Sequence, residues 1–200
     1  GWPPSNMIHQ PSIEKVLRDR VAACDFVDAR FGAAYRDHES SGEVVTVHFD
    51  TQGKASKTSC RFFIGCDGAN SAVRANAGLS LVDLGFSERW LVIDTKVIDS
   101  SRLPRHNLQI CDPERPTTSV RMGAGRHRWE FMLKAEENED EVSAPASVAN
   151  LLSGWDVDGA VELERTATYT FEAKVANQWM QDGVVIAGDA AHLMPPFSGQ

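Results

Sequence analysis

Residues 64–74 read Ile-Gly-Cys-Asp-Gly-Ala-Asn-Ser-Ala-Val-Arg, and the architecture first becomes legible there. The run RFFIGC at 61–66 is short and apolar, and is bounded by Ser59 and by Asp67-Gly68. Such a run suits a strand buried on both faces. A strand that ends in Asp-Gly delivers a carboxylate to its C-terminal edge, and glycine lets backbone pass close to a ligand. That edge is where α/β sheets bind nucleotides. The following ANSAVRANAGL reads as a helix, with Asn70 or Ser71 near its cap and Gly78 near its end. Arg74, one turn in, could pair with Asp67 or meet a phosphate. Taken alone, Asp-Gly is also a common turn and Arg74 an ordinary surface charge.

A second segment of the same kind closes the chain. Val184-Val185-Ile186-Ala187 is a buried apolar strand that runs into Gly188-Asp189-Ala190-Ala191-His192 and then Met194-Pro195-Pro196-Phe197-Ser198-Gly199-Gln200. Gly188 and the two alanines keep the backbone accessible at a strand-to-helix junction. Asp189 can accept hydrogen bonds from sugar hydroxyls, and the start of a following helix favours negative charge. In outline this is a site for a polyol and a phosphate. Alone, it is equally a buried strand leading into a capped helix, with the prolines a helix-entry kink and His192 a core or surface residue.

Outward from these two segments, SIEKVLRDRVAAC at 12–24 places Ile13, Val16, Leu17, Val21 and Cys24 on one face of a helix, with Ser12 as the cap after Pro11. Residues 25–49 hold short β-like runs that end in the alternating Val45, Val47 and Phe49, after a turn at Ser40-Ser41-Gly42. RWLVIDTKVI, HNLQICD, TTSVRMGAG and HRWEFMLKA are four strand-like segments with no helix among them, which predicts an antiparallel sheet. Within the last of these, Trp129, Phe131 and Leu133 alternate with Arg128, Glu130 and Met132, so either face could border a pocket. A helix near 146–155 and a strand at VELERTATYTFEA follow.

The composition narrows the class. The net charge of -8 and the lack of clustered Lys and Arg exclude a nucleic-acid partner. The acidic run Glu136 to Glu141 is expected to be a solvated loop. Cys24, Cys60, Cys66 and Cys111 have neither CxxC spacing nor a His at ligand distance, so no metal site is expected, and reduced thiols in a cytoplasmic protein are. No stretch approaches the length of a membrane span, and the N-terminus has no export pattern. The opening Gly-Trp-Pro-Pro and the closing Phe197-Ser198-Gly199-Gln200 read as cuts through a longer protein.

Taken together, DGANSAVR and GDAAHLMPPFSGQ, about 120 residues apart and separated by an antiparallel sheet, resemble the Asp-Gly and Gly-Asp motifs of the FAD-dependent aromatic hydroxylases, the para-hydroxybenzoate hydroxylase class. NMIHQPSIEKVLRDR and RWEFML are similar to the branch that hydroxylates 3-(3-hydroxyphenyl)propionate and related phenols. The likeness covers nearly the whole chain. It implies an α/β fold, in which part of a three-layer Rossmann-like FAD/NAD(P)-binding domain (1–83 and 181–200) is interrupted by an antiparallel substrate domain (84–180).

The resemblance also implies residue roles. Gln10 and Asp189 would hold the ribityl hydroxyls, with Gly188, Ala190 and Ala191 lining the turn. Asp67 and Gly68 would sit by the flavin pyrophosphate and the approach of the nicotinamide nucleotide, supported by Arg74. Pro195 and Pro196 would line the reactive edge of the isoalloxazine. The cofactors implied are FAD with NADH or NADPH as co-substrate, and the partner is a small phenol, with a homo-oligomer compatible. The implied activity is a flavoprotein monooxygenase of aromatic-compound catabolism. The family's first motif, Gly-x-Gly-x-x-Gly, has no counterpart in these residues, nor does its closing helix, so this segment alone is expected to bind FAD poorly. The other readings are a flavoenzyme of the same fold with different chemistry (halogenase, epoxidase or reductase) and a non-catalytic binding module.

Overall fold

A computed structural model describes residues 8–195. In chain order the elements are α1 (Gln10–Ala22), β1 (Ala33–Ser41), β2 (Val44–Thr51), β3 (Lys54–Cys60), β4 (Phe63–Gly65), α2 (Ala72–Asn76) and β5 (Leu81–Val97). They continue with β6 (Leu108–Ile110), β7 (Thr117–Met122), β8 (Arg126–Met132), α3 (Glu139–Val142), α4 (Pro145–Ser153) and β9 (Val161–Ala176). The last are β10 (Met180–Gln181), β11 (Val184–Ile186) and β12 (His192–Leu193). The result is the expected mixture of α and β, richer in strands than in helices. The chain divides into two compact units, one formed by 1–27 with 88–170 and the other by 28–87 with 171–200.

In the unit of 28–87 and 171–200, β1, β2 and β3 form an antiparallel meander, and β10-β11-β4 a second sheet in which β11 and β4 run parallel. Val45, Val47, Val73, Leu79, Val184 and Ile186 form its core. The alternation in EVVTVHF sets which side of β2 is inward, since side chains two apart share a face of a strand. The sequence reading missed β3, because KASKTSC carries no apolar alternation. It pairs through its backbone, with Val45 opposite Cys60 and Thr51 opposite Lys54.

In the other unit the strand order is β9-β5-β8-β7-β6, with β5 antiparallel to β8, β8 to β7 and β7 to β6. Leu91, Ile93, Trp129, Phe131 and Leu133 form one face, packed on Val148 of α4 and on Val157 and Ala160. Among the described residues no helix is long and apolar enough to cross a membrane.

Four local expectations need correction. RFFIGC is not buried on both faces: Phe62 and Ile64 are exposed, while Phe63 and Gly65 face inward, because this edge of the sheet is covered on one side only. Ser12 is not the cap of α1, which starts two residues earlier after His9, because Pro11 fits the first turn of a helix and does not need to precede it. The apolar face of α1 buries no residue among those described. The acidic run is not wholly a solvated loop: α3 begins inside it, and Glu137 forms a half-buried ion pair with Arg115 at 2.5 Å and accepts a hydrogen bond from the backbone N–H of Lys134. Finally, no helix follows Gly188-Asp189 within the described residues. Residues 188–190 make a single 3-10 turn, and the chain then enters β12, drawn onto β9 by the hydrogen bond from the Ala176 N–H to the Ala191 carbonyl.

Candidate functional site

The two motif segments are brought together by strand pairing. β4 and β11 are parallel neighbours, with Phe63 opposite Val184 and Gly65 opposite Ile186. Their C-terminal ends therefore leave the same edge, and the N–H of Ala187 extends the ladder to the Gly65 carbonyl at 2.9 Å. Gly65 is required by packing: a Cβ there would stand 2.7 Å from the Cβ and Cγ1 of Val73, so α2 lies against β4 at a distance only glycine permits.

Asp67 is committed to its own loop. One carboxylate oxygen accepts the Ser71 hydroxyl at 2.5 Å and the other the Val73 N–H at 3.0 Å, while the Ser71 Oγ accepts the Arg74 N–H at 2.9 Å. Partial burial pushes the Asp67 carboxyl up, but the hydrogen bonds from Ser71 and Val73 outweigh it and hold the group below its ordinary value. Ser71, almost wholly buried, is the cap of α2, one of the two candidates read from sequence.

Arg74 does not pair with Asp67. Its guanidinium donates to the carbonyl of Ala190 at 2.9 Å and to that of Ala69 at 2.8 Å. The arginine of the first motif thus ties its own loop to the turn of the second. Charge-assisted bonds to two carbonyls set the separation of the two loops more firmly than an exposed ion pair would.

Asp189 is exposed and accepts no hydrogen bond from the described residues, so its oxygens are available. Ala190 and Ala191 are fully buried and anchor the turn below it. Gly68 and Gly188 have φ of +84° and +58°, and no atom lies within 4 Å of where a Cβ would stand on either. Backbone at both motifs is therefore open to close approach by a large ligand, which fits a dinucleotide.

Gln10 opens α1, in the other unit, and its side-chain amide donates to Glu14 at 2.9 Å. Pro195 is half-buried at the end of the described chain, and Pro196 lies outside the described residues. The sequence reading did not single out the anchors of α2: the Asn76 amide donates to the Tyr35 hydroxyl and to the Arg36 carbonyl at 3.1 Å, and the Tyr35 hydroxyl meets His38 Nδ1 at 2.7 Å. The two Asn76 contacts join residues about 40 apart, and no local pattern marks them. The His192 ring stacks on that of Trp179, with centroids 5.6 Å apart.

A parallel strand pair that delivers an Asp-Gly loop and a Gly-Asp turn to one edge is the signature of a flavin-type dinucleotide domain, and the chain belongs to the family described as FAD binding domain, whose pattern matches residues 1–200. Among curated proteins it is 37% identical, over its full length, to a probable NADH-specific resorcinol 4-hydroxylase of Rhodococcus jostii (strain RHA1), of which it covers 38%. It is 33% identical, again over its full length, to a 3-(3-hydroxy-phenyl)propionate/3-hydroxycinnamic acid hydroxylase of Mycolicibacterium gilvum (strain PYR-GCK), of which it covers 35%. The chain thus spans little more than a third of the curated relatives it matches. Its fold is similar to that of p-nitrophenol 4-monooxygenase PnpA of Pseudomonas putida DLL-E4, with a TM-score of 0.84 at 21% identity, over 96% of this chain and 49% of that one. It is also similar to aklavinone-11 hydroxylase solved with FAD and aklavinone, with a TM-score of 0.81 at 22% identity, over 98% of this chain and 39% of that one.

Proposed function

We propose that the protein containing this chain is an FAD-dependent monooxygenase of the cytoplasm that hydroxylates a phenolic ring, with NADH or NADPH and O2 as co-substrates. The observation that carries this reading is the pairing of β4 with β11, which directs Asp67-Gly68 and Gly188-Asp189 to one sheet edge under the Arg74 clamp. The names of the similar proteins, a resorcinol hydroxylase and a hydroxyphenylpropionate hydroxylase, support the phenolic substrate class, and the former supports NADH as donor.

In this reading FAD, once reduced by the nicotinamide nucleotide, supplies the activation of O2. The chain supplies binding and orientation. Asp189 would accept hydrogen bonds from ribityl hydroxyls, a role for which the resemblance also offers Gln10. Gly68 and Gly188 admit the cofactor to the backbone. Asp67 keeps the first loop in shape through Ser71 and Val73, and so acts by positioning. Pro195 and Pro196 would serve to border the reactive edge and exclude water. In the middle sheet the face of Trp129, Phe131 and Leu133 is filled by core, which leaves the half-buried face of Arg128, Glu130 and Met132 to line the substrate cavity.

The test is anaerobic reduction of the purified whole protein by NADH, with and without resorcinol or 3-(3-hydroxyphenyl)propionate, followed by admission of O2 and product identification. Faster flavin reduction with the phenol and an added ring hydroxyl are expected. Failure to retain flavin after reconstitution would overturn the assignment.

A further inference from the structure

The unit that carries the middle sheet contains a second candidate site, built from none of the motif residues. A cavity of about 260 Å³ opens at the β7–β8 end of the sheet, beside the loop after β5. Val97, Leu103 and Met122 give it apolar walls, and Arg105, Arg121 and His127 also line it.

Its charge sets it apart. In this unit Arg89, Arg102, Arg115, Arg126, Arg128 and Arg165 each face a carboxylate within 4 Å. Arg105 and Arg121 have no such partner among the described residues, and no Asp or Glu lines the cavity. Arg126 also borders it, but its charge is met by the bidentate Glu164 at 2.7 and 2.8 Å. One Arg121 nitrogen donates to the Arg105 carbonyl at 2.9 Å, and the Arg121 backbone N–H is held by the Asn107 side chain at 2.9 Å. Those bonds pin the strand and the guanidinium, and the other donors of that guanidinium have no protein acceptor among the described residues. In a chain of net charge -8, two uncompensated guanidiniums on one cavity are a marked asymmetry.

His127 forms the inner wall and strengthens the case. It is 1% exposed and its Nε2 meets the buried Ser119 hydroxyl at 2.8 Å, so it is fixed in place. Burial, and secondarily the positive charge of Arg121, hold it neutral. The positive field of the cavity therefore comes from the two arginines and does not vary across the neutral range.

We infer that this cavity binds an organic carboxylate with an apolar body, the carboxylate bridging Arg105 and Arg121 and the body lying on Val97, Leu103 and Met122. Guanidiniums match carboxylates in a two-pronged geometry, and the apolar walls select against small hydrated anions such as acetate. The inference goes beyond the oxidation chemistry and does not depend on it.

Benzoate is the probe, titrated into the flavin-loaded whole protein and followed by NMR at the Met122 methyl and the His127 ring. Acetate, with the charge but no body, and benzyl alcohol, with the body but no charge, are the comparisons. Benzoate should shift both signals and raise the titration midpoint of His127, because the bound anion offsets Arg121. Acetate and benzyl alcohol should bind at least about tenfold more weakly, and Arg105→Gln and Arg121→Gln should each weaken benzoate about tenfold, the loss of one charge-assisted contact. Both arginines are exposed, so the variants should keep their circular dichroism and their turnover with phenol. Benzyl alcohol binding as well as benzoate, unaltered affinity in both variants, or no shift at Met122 and His127 would each overturn the inference. Phenol-dependent turnover in the same samples reports separately on the oxidation reading.

Discussion

Acidification should destabilise the middle-sheet unit through His127, by an amount that the structure sets. The ring is 1% exposed and its folded-state pKa is pushed down from 6.5 to about 4, first by burial and then by the charge of Arg121. Unfolded, the same ring titrates at about 6.5. As the pH falls from about 6.5 towards 4 the unfolded chain takes up a proton that the folded one refuses, so stability is full above the unfolded value and declines through this window. Linkage over that gap gives a loss of about 2–3 kcal/mol between about pH 7.5 and pH 4.5. Carboxylates also titrate towards the lower end, so the quantity to measure is the difference from His127→Gln. That side chain keeps a polar partner for Ser119 and carries no titrating group. Urea unfolding followed by tryptophan fluorescence suits the purpose, because Trp90, Trp129 and Trp155 all lie in this unit. Wild type should lose about 2–3 kcal/mol more than the variant across that interval. Equal losses in the two proteins, or an NMR titration placing His127 near its ordinary value, would refute the reasoning.

Three other substitutions probe the motif loops. Gly65→Ala drives a methyl to within 2.7 Å of buried Val73 and should cost about 1–3 kcal/mol, read as a lower melting temperature; an unchanged one would mean that α2 is free to move. Arg74→Met removes the bonds to the Ala69 and Ala190 carbonyls and should cost about 1–3 kcal/mol in chemical denaturation, with Arg74→Lys recovering part of it. Asp189→Ala, at an exposed side chain with no described partner, should leave stability within about 0.5 kcal/mol. If the ribityl assignment holds, FAD affinity should nonetheless fall about tenfold, measured by flavin fluorescence. On the acid side, the depressed Asp67 carboxyl contributes stability that is present above its unfolded value and is lost as the pH falls through its lower folded value. Ser71→Ala should raise that folded value, and a carboxyl NMR titration checks it.

Much of this protein could be read from local pattern alone. The period-two alternation of EVVTVHF and RHRWEFM told which side chains share a face, because a strand turns successive residues to opposite faces, while which face of the second lies inward came from packing. The Asp-Gly and Gly-Asp segments were each legible as a strand running into a turn, and pointed to their chemistry only as a pair, because either alone is an ordinary turn signal. Both signals lie within a dozen residues, so neither depends on what the rest of the chain does.

Only the tertiary structure could decide whether the two motifs meet and what each polar group does once they have. The pairing of Gly65 with Ile186 joins residues 121 apart, and such contacts depend on the whole chain. Arg74 illustrates the limit: sequence offered Asp67 or a phosphate, but Ser71 and the Val73 N–H already occupy that carboxylate, and the guanidinium turns to two carbonyls. β3, with its polar sequence, forms because β2 presents unpaired backbone, and the turn after Asp189 enters β12 because β9 offers a partner. Backbone hydrogen bonding carries no side-chain signature, so a strand made by its neighbour is invisible until the neighbour is in place.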